Sequence, residues 1–215
     1  MPESISEQGD DVLGLWRGSV LAGLAVLALV WGLVVWSVLR YRRRSDDLPS
    51  QTPENIPIEL LYTATPLVIV VVLFAFTLVT QQRVTALVDD PDLTIEVVAF
   101  QWSWEFRYPE HDVVVRSNGV DPPEVVVPVD ATVRFTFASR DVAHSFWAPE
   151  LLVKRDVIPG VDNELDVHVT EAGEWRGRCA EFCGLDHWRM YFDLVAVPRG
   201  DFERRLAEAV DGGGG

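Results

Sequence analysis

Two long apolar stretches dominate the hydrophobic pattern of the first 81 residues. Residues 18–39 and 60–81 contain no Asp, Glu, Lys or Arg, and each is close to the ~20 residues that cross a bilayer as a helix. The pattern therefore predicts a two-helix transmembrane hairpin over residues 18–83. The alternative is a helical hairpin buried in a soluble protein, which is disfavoured because an arginine cluster directly follows the first stretch.

The charges around the first stretch indicate its orientation. Residues 1–17 form an acidic N-terminal segment, whereas a secretory signal peptide begins with basic residues. We therefore expect a retained span, preceded by a mobile leader over residues 1–11. Four arginines between residues 40 and 44 place the following loop in the cytoplasm by the positive-inside rule. We therefore expect a multi-pass protein of the cell membrane, with both termini and the C-terminal domain on the extracytoplasmic side.

After residue 91 the pattern changes to short segments rich in β-branched and aromatic residues, separated by Gly, Pro, Asn and Asp. Val133, Phe135 and Phe137 alternate with polar residues, as in a half-buried strand. Many short strands predict an all-β sandwich or Greek-key barrel over residues 91–199, followed by a short helix and a glycine tail over 200–215. The predicted strands are Leu93–Phe100, Trp102–Tyr108, Asp112–Arg116, Glu124–Val127, Thr132–Phe137, Asn163–Val169, Glu174–Arg178 and Met190–Val197.

The C-terminal domain is strongly acidic. From Pro91 onward the sequence has 12 Lys and Arg against 23 Asp and Glu, and the whole chain carries a net charge of −15. Nucleic acid is excluded as a partner, because phosphate binding needs cationic surfaces. A basic soluble partner fits this charge. Adaptation to high salt explains it as well, since the chain contains a single lysine, Lys154.

Both cysteines of the chain lie in one short loop with a histidine and a methionine. Cys179, Cys183, His187 and Met190 provide two thiolates, an imidazole and a thioether, the soft and borderline ligands that copper prefers. His144 is the best candidate for a second imidazole, because it lies in a hydrophobic run. Two thiolates can bridge two copper ions, with the histidines as terminal ligands, Met190 as a weak ligand and one backbone carbonyl completing the set.

The residue types and their spacing alone leave other interpretations of this loop open. Zinc accepts two cysteines and two histidines, although Met190 and the close cysteine spacing argue against it. A disulfide between Cys179 and Cys183 would close a small loop and leave the histidine and methionine unexplained. A loop without any metal is the remaining alternative.

Two further residues have both a structural and a functional explanation. Glu59 lies at the cytoplasmic end of the second span, where a carboxylate is commonly a solvated boundary residue. Ionisable groups at membrane depth also mark proton pathways. From the residues alone, Trp102 is most simply a core aromatic.

Three motifs together identify a resemblance. The loop reads C-x-E-x-C-G-x-x-H-x-x-M from Cys179 to Met190, the segment from Asp141 reads D-V-x-H-S, and Gln101–Trp104 reads Q-W-x-W. In these motifs the chain resembles subunit II of haem–copper cytochrome c oxidase, and the similarity runs from about Glu54 to Val197.

The resemblance implies a cupredoxin-like barrel that holds a binuclear copper centre, CuA. It also implies a magnesium or manganese ion where the Glu181 carboxylate meets oxidase subunit I. Electrons would enter at Trp102 and Trp104, the donor would dock near Asp141, and Glu59 would stand at the mouth of a proton channel. The implied CuA ligands are His144, Cys179, Cys183, His187, Met190 and the carbonyl of Glu181.

The function implied is that of the electron-accepting subunit of a terminal respiratory oxidase. It would take electrons from cytochrome c or a small blue-copper protein and pass them to haem in subunit I, where oxygen is reduced and protons are pumped. A CuA-containing subunit of a membrane nitric oxide reductase is the alternative, because it shares the hairpin and the loop. A quinol oxidase subunit lacks these copper ligands, and nitrous oxide reductase lacks the membrane hairpin.

Overall fold

The computed structural model describes residues 3–44, 46, 48, 51–117, 119 and 121–213. The chain divides into two compact units, one comprising residues 14–81 and the other residues 1–13 together with 82–215.

The first unit contains most of two long apolar helices, α1 (Glu7–Arg40) and α2 (Ile56–Val84). Both are long and apolar enough to cross a membrane, and both extend beyond the uncharged stretches. Their apolar side chains are exposed all round, which is typical of helices that lie in lipid. At the start of α2 the Asn55 side chain accepts a hydrogen bond from the Ile58 amide, and Glu59 Oε1 accepts one from the Asn55 amide at 2.8 Å. Glu59 therefore helps to cap the helix.

The second unit is built on two five-stranded sheets within the described residues. The strands are β1 (Leu93–Phe100), β2 (Ser103–Tyr108), β3 (Val113–Arg116), β4 (Glu124–Pro128), β5 (Ala131–Ser139), β6 (His144–Trp147), β7 (Lys154–Val157), β8 (Asn163–Val169), β9 (Gly173–Cys179) and β10 (Tyr191–Val197). The strand order is β3-β2-β1-β5-β8 in the first sheet and β4-β10-β9-β6-β7 in the second. The pairs β1–β5 and β4–β10 are parallel and the other pairs are antiparallel, so strands distant in sequence lie side by side.

Aromatic residues fill the core between the sheets. Phe146 from β6 and Phe192 from β10 stack with ring centroids 4.5 Å apart, and Trp104 from β2 meets both rings edge-on. Full burial of such side chains contributes roughly 1.5–3 kcal/mol each. Helix α3 (Arg199–Gly213) packs Phe202 and Leu206 into the same core. The aromatic cluster fixes β6 and β10 on either side of the cysteine loop.

The N-terminal segment is docked on the second unit, which contradicts the expectation of a mobile leader for the described residues 3–11. Ser6 forms an antiparallel bridge with Val169 of β8, and Ile5 is buried. Gly9 permits this close approach, because a Cβ atom there would lie 2.7 Å from the Leu151 carbonyl oxygen.

Candidate metal centre

Strand pairing brings His144 next to the cysteine loop. Phe146 of β6 lies opposite Cys179 of β9 in the sheet, and the Ala180 amide donates to the Ser145 carbonyl at 3.0 Å. The loop turns back through a short 3₁₀ segment, His187–Arg189. The Cys179 amide then donates to the Met190 carbonyl at 2.9 Å. The two ends of the loop are therefore held together beside β6.

The predicted ligands converge on the two sulfur atoms. The ligand atoms of His144, Cys179 and Cys183 all lie within 4.8 Å of one another. The two Sγ atoms are 3.8 Å apart, and both cysteines are free and buried, so the structure has no disulfide between them. Cys179 Sγ lies 3.8 Å from His144 Nδ1 and 3.2 Å from the Glu181 carbonyl oxygen. Cys183 Sγ lies 3.5 Å from His187 Nδ1 and 3.8 Å from Met190 Sδ.

This donor set fits copper. Two thiolates, two imidazole nitrogens and a thioether surround one buried position, and such soft and borderline donors favour copper over magnesium or calcium. The Glu181 carbonyl points towards Cys179 while the residue itself is exposed. The carboxylate of Glu181 is thus free to act elsewhere.

The pKa values of the two thiols shift in opposite directions, because both are buried and their sulfur atoms lie only 3.8 Å apart. Burial opposes ionisation of Cys179, but the hydrogen bond with His144 and nearby backbone groups outweigh it and lower the pKa of this thiol to about 6. Burial and the negative charge on Cys179 raise the pKa of the Cys183 thiol to about 12. A metal binds cysteine as the thiolate, so metal binding at this pair releases protons.

Asp141 fixes the orientation of His144. Its Oδ1 accepts a hydrogen bond from His144 Nε2 at 2.9 Å, and its Oδ2 accepts one from the Gln101 amide at 2.7 Å. The carboxylate only accepts hydrogen bonds, so Nε2 carries the proton and Nδ1 faces the sulfur of Cys179. Burial works against protonation of His144, but its contacts with Cys179 and Asp141 raise the pKa of the imidazole overall. The contact of Asp141 with a donor protein stays a prediction.

Gln101 and Trp102 are tied to the ligand loop from outside. Gln101 Nε2 donates to the Cys183 carbonyl at 2.7 Å, and Trp102 Nε1 donates to the same oxygen at 3.2 Å. Gly184 has a φ of +121°, and a Cβ atom there would lie 3.1 Å from the Trp102 ring, so glycine suits this position. Sequence reasoning assigned no role to the Gln101 side chain.

Trp104 is placed differently from Trp102. Trp102 is half-buried, whereas Trp104 is fully buried and packs beside His144 with ring centroids 6.3 Å apart. Its indole N–H donates to the Met190 carbonyl at 3.4 Å. A buried Trp104 presents no surface of its own to a soluble donor, and its part in electron entry stays a prediction.

We expect removal of the Asp141 side chain to weaken copper binding. Asp141→Ala leaves His144 Nε2 without its acceptor, and loss of such a partner costs about 10–100-fold in metal affinity. Asp141→Asn keeps one acceptor oxygen and should lose less. A copper titration against a competing chelator measures both variants, with Glu171→Ala, at an exposed turn, as the control. Wild-type affinity in Asp141→Ala would contradict the positioning role.

Family profiles and individual protein sequences that resemble this chain all come from one family. The profiles for the transmembrane and periplasmic domains of cytochrome c oxidase subunit II match residues 1–79 and 114–197. A Streptomyces coelicolor protein described as a probable cytochrome c oxidase subunit 2 is 39% identical over 97% of this chain and 78% of its own length.

Two solved structures share the β domain. The periplasmic domain of cytochrome oxidase subunit II from Bradyrhizobium japonicum is 31% identical, with a TM-score of 0.53 over 59% of this chain and 99% of that domain. A mixed disulfide intermediate between a thioredoxin-like protein and subunit II of cytochrome c oxidase gives 31% identity and a TM-score of 0.51 over 60% of this chain and 100% of the matched chain. The predicted fold, two apolar helices followed by a cupredoxin-like β domain, is confirmed. Nothing in these matches favours a nitric oxide reductase.

Proposed function

The chain belongs to the cytochrome c oxidase subunit II family, and we propose that it receives electrons from a soluble donor at a binuclear copper centre. It is a subunit of an oxidoreductase complex, in which it partners subunit I. Oxygen is reduced, and protons are pumped, at the haem–copper sites of subunit I rather than in this chain.

One observation carries the proposal: two buried, unpaired sulfurs lie 3.8 Å apart with an imidazole beside each. Cys179 and Cys183 would hold two copper ions between them, and the bound pair would supply the uptake and release of one electron. We assign the ligands as His144, Cys179, Cys183, His187, Met190 and the carbonyl of Glu181.

The protein's own residues prepare this centre in three ways. Asp141 holds His144 in the tautomer that turns Nδ1 inward. The aromatic core around Trp104 and Phe146 excludes water from one side of the sulfurs. Pairing of β6 with β9 holds the imidazole of His144 beside the Cys179 sulfur, so little has to move there when an electron arrives or leaves.

Electrons enter at Trp102 in this proposal. Its indole borders a surface groove on one side and donates a hydrogen bond to the Cys183 carbonyl on the other. The route from the surface to a ligand sulfur is therefore one hydrogen bond followed by covalent bonds. The donor is cytochrome c or a small blue-copper protein.

The remaining assignments concern subunit I and the membrane. We propose that α1 and α2 cross the cell membrane, with the copper domain and both termini on the extracytoplasmic side. The exposed Glu181 carboxylate would bind magnesium or manganese at the contact with subunit I. Glu59 would stand near the mouth of a proton channel, in addition to capping α2.

The mixed disulfide formed by a relative suggests how the site is prepared for metal. We propose that a thioredoxin-like protein reduces any Cys179–Cys183 disulfide before copper is loaded. Two electrons pass from the partner's dithiol to the Cys179–Cys183 disulfide, so the partner's cysteines become a disulfide and Cys179 and Cys183 are left as thiols. The reduced pair is the form that the structure shows.

Copper stoichiometry and electron paramagnetic resonance on the oxidase complex that contains this chain test the proposed function. We expect two coppers in this subunit and a spectrum in which one unpaired electron is shared by two copper nuclei. Zinc at the site, or a spectrum from a single copper nucleus, would overturn the proposal.

A further inference from the structure

Gln101 lies between the two segments of the chain that carry the proposed ligands, in the turn that joins β1 to β2. Its backbone amide donates to Asp141 Oδ2 at 2.7 Å, and the other oxygen of that carboxylate accepts from His144 Nε2 at 2.9 Å. Its side-chain Nε2 donates to the Cys183 carbonyl at 2.7 Å. One residue outside the ligand set therefore connects the support of His144 to the backbone of Cys183.

The backbone of the ligand loop leaves space for the Gln101 amide. At the residue after Cys183, Gly184, a Cβ atom would lie 3.0 Å from Gln101 Nε2, and the φ of +121° there favours glycine. A second donor, the Trp102 indole, reaches the same carbonyl at 3.2 Å. The Cys183 carbonyl thus accepts two N–H groups, and the shorter of the two hydrogen bonds comes from Gln101.

The exposure of Gln101 separates its contact with the loop from the packing of the core. An exposed side chain contributes little to stability through apolar burial. Surface substitutions of this kind ordinarily change the free energy of unfolding by less than about 0.5 kcal/mol. We therefore expect a substitution of Gln101 to act on the ligand loop and to leave the core in place.

Two N–H groups at the Cys183 carbonyl bring partial positive charge to the residue whose sulfur is a proposed ligand. The reduced centre would carry one more electron than the oxidised centre, so nearby positive charge favours the reduced state. Hydrogen bonds around metal ligands fix their positions and tune the reduction potential. Removal of the Gln101 donor should therefore lower the reduction potential and loosen the hold of the loop on the metal.

We propose that Gln101 is a positioning residue for the copper centre, whose side-chain N–H holds Cys183 in place relative to His144 and raises the reduction potential of the bound pair. The inference rests on the proposed function and adds to it a residue that is not a ligand. Substitution of the side chain isolates this contact, because the backbone N–H that donates to Asp141 is kept in every variant except proline.

The test compares Gln101→Met and Gln101→Lys in the intact oxidase complex. Methionine is unbranched like glutamine but has no N–H. We expect Gln101→Met to shift the copper centre to a lower potential, in a redox titration followed by its resonance signal. Copper loss to a chelator should be roughly tenfold faster than in the wild type. Lysine keeps N–H donors on a flexible chain, so Gln101→Lys should lose copper at close to the wild-type rate.

Gln8→Met is the matched control, because the Gln8 side chain also bonds a backbone group, accepting from the His168 amide at 2.9 Å. It should change neither the potential nor the rate of copper loss. A wild-type potential or wild-type copper loss in Gln101→Met overturns the positioning role. A Gln101→Lys variant that loses copper as fast as Gln101→Met overturns it as well, because the donor would then not be what matters.

The resonance spectrum of the wild-type complex separates a failure of this inference from a failure of the proposed function. If the wild type lacks two coppers with a shared electron, the proposed function is overturned and the role of Gln101 with it. If the wild-type signal is present, a negative result in the variants overturns the role of Gln101 alone.

Discussion

Replacing Cys183 with serine should abolish the shared-electron signal and reduce oxygen consumption by the complex to background. Cys183 Sγ is the atom on which the other donors converge, at 3.8 Å from Cys179 Sγ, 3.5 Å from His187 Nδ1 and 3.8 Å from Met190 Sδ. A serine hydroxyl is a harder and much less acidic donor, so it does not replace a bridging thiolate. Copper per chain, the resonance spectrum and oxygen uptake measure the loss.

Met190→Leu is the matched control for Cys183→Ser. Met190 is equally buried in the same loop, and leucine has a similar volume, which cores tolerate well. Because both bridging sulfurs remain, we expect this variant to keep two coppers with a shifted spectrum. If Cys183→Ser retained two coppers and the shared electron, the bridging assignment would be wrong.

The fold was predictable where strands are long enough to show alternation. Leu93–Phe100 and Asn163–Val169 were predicted with the bounds that the structure has, because apolar and polar residues alternate in sequence over much of each strand. The strands His144–Trp147 and Lys154–Val157 were missed. Each strand has four residues, which is too few for a periodic pattern. In His144–Trp147, three of the four residues are buried.

The metal ligands were predictable from the chemistry of their side chains, but the long-range contacts that hold the surrounding structure in place were not. Cysteine, histidine and methionine in one loop limit the possible metals without any knowledge of the fold. The contact between Gln101 and the Cys183 carbonyl joins residues 82 positions apart, and nothing local to either residue indicates it. The same holds for the bridge between Ser6 and Val169. Such contacts follow from the order of strands in a sheet, which the sequence pattern leaves open.

Trp102→Phe should slow electron uptake from the donor by more than an order of magnitude while leaving the copper signal intact. Phenylalanine keeps an aromatic ring in the groove but lacks the N–H that donates to the Cys183 carbonyl at 3.2 Å. The connection between the groove and the ligand loop is therefore broken. The metal loop itself should hold, because Gln101 still donates to the same carbonyl at 2.7 Å. Stopped-flow measurement of donor oxidation, with copper content and resonance spectra recorded on the same samples, separates the two effects.

Trp188→Phe provides the comparison, since Trp188 is also a tryptophan near the sulfurs but is 70% exposed. It makes no hydrogen bond to the ligand loop among the described contacts, unlike Trp102. We expect near wild-type uptake from this variant. Equal rates in Trp102→Phe and the wild type, with copper fully loaded, would show that electrons reach the sulfurs by another route. Equal slowing in both tryptophan variants would instead point to the general shape of the surface rather than to the single hydrogen bond at Cys183.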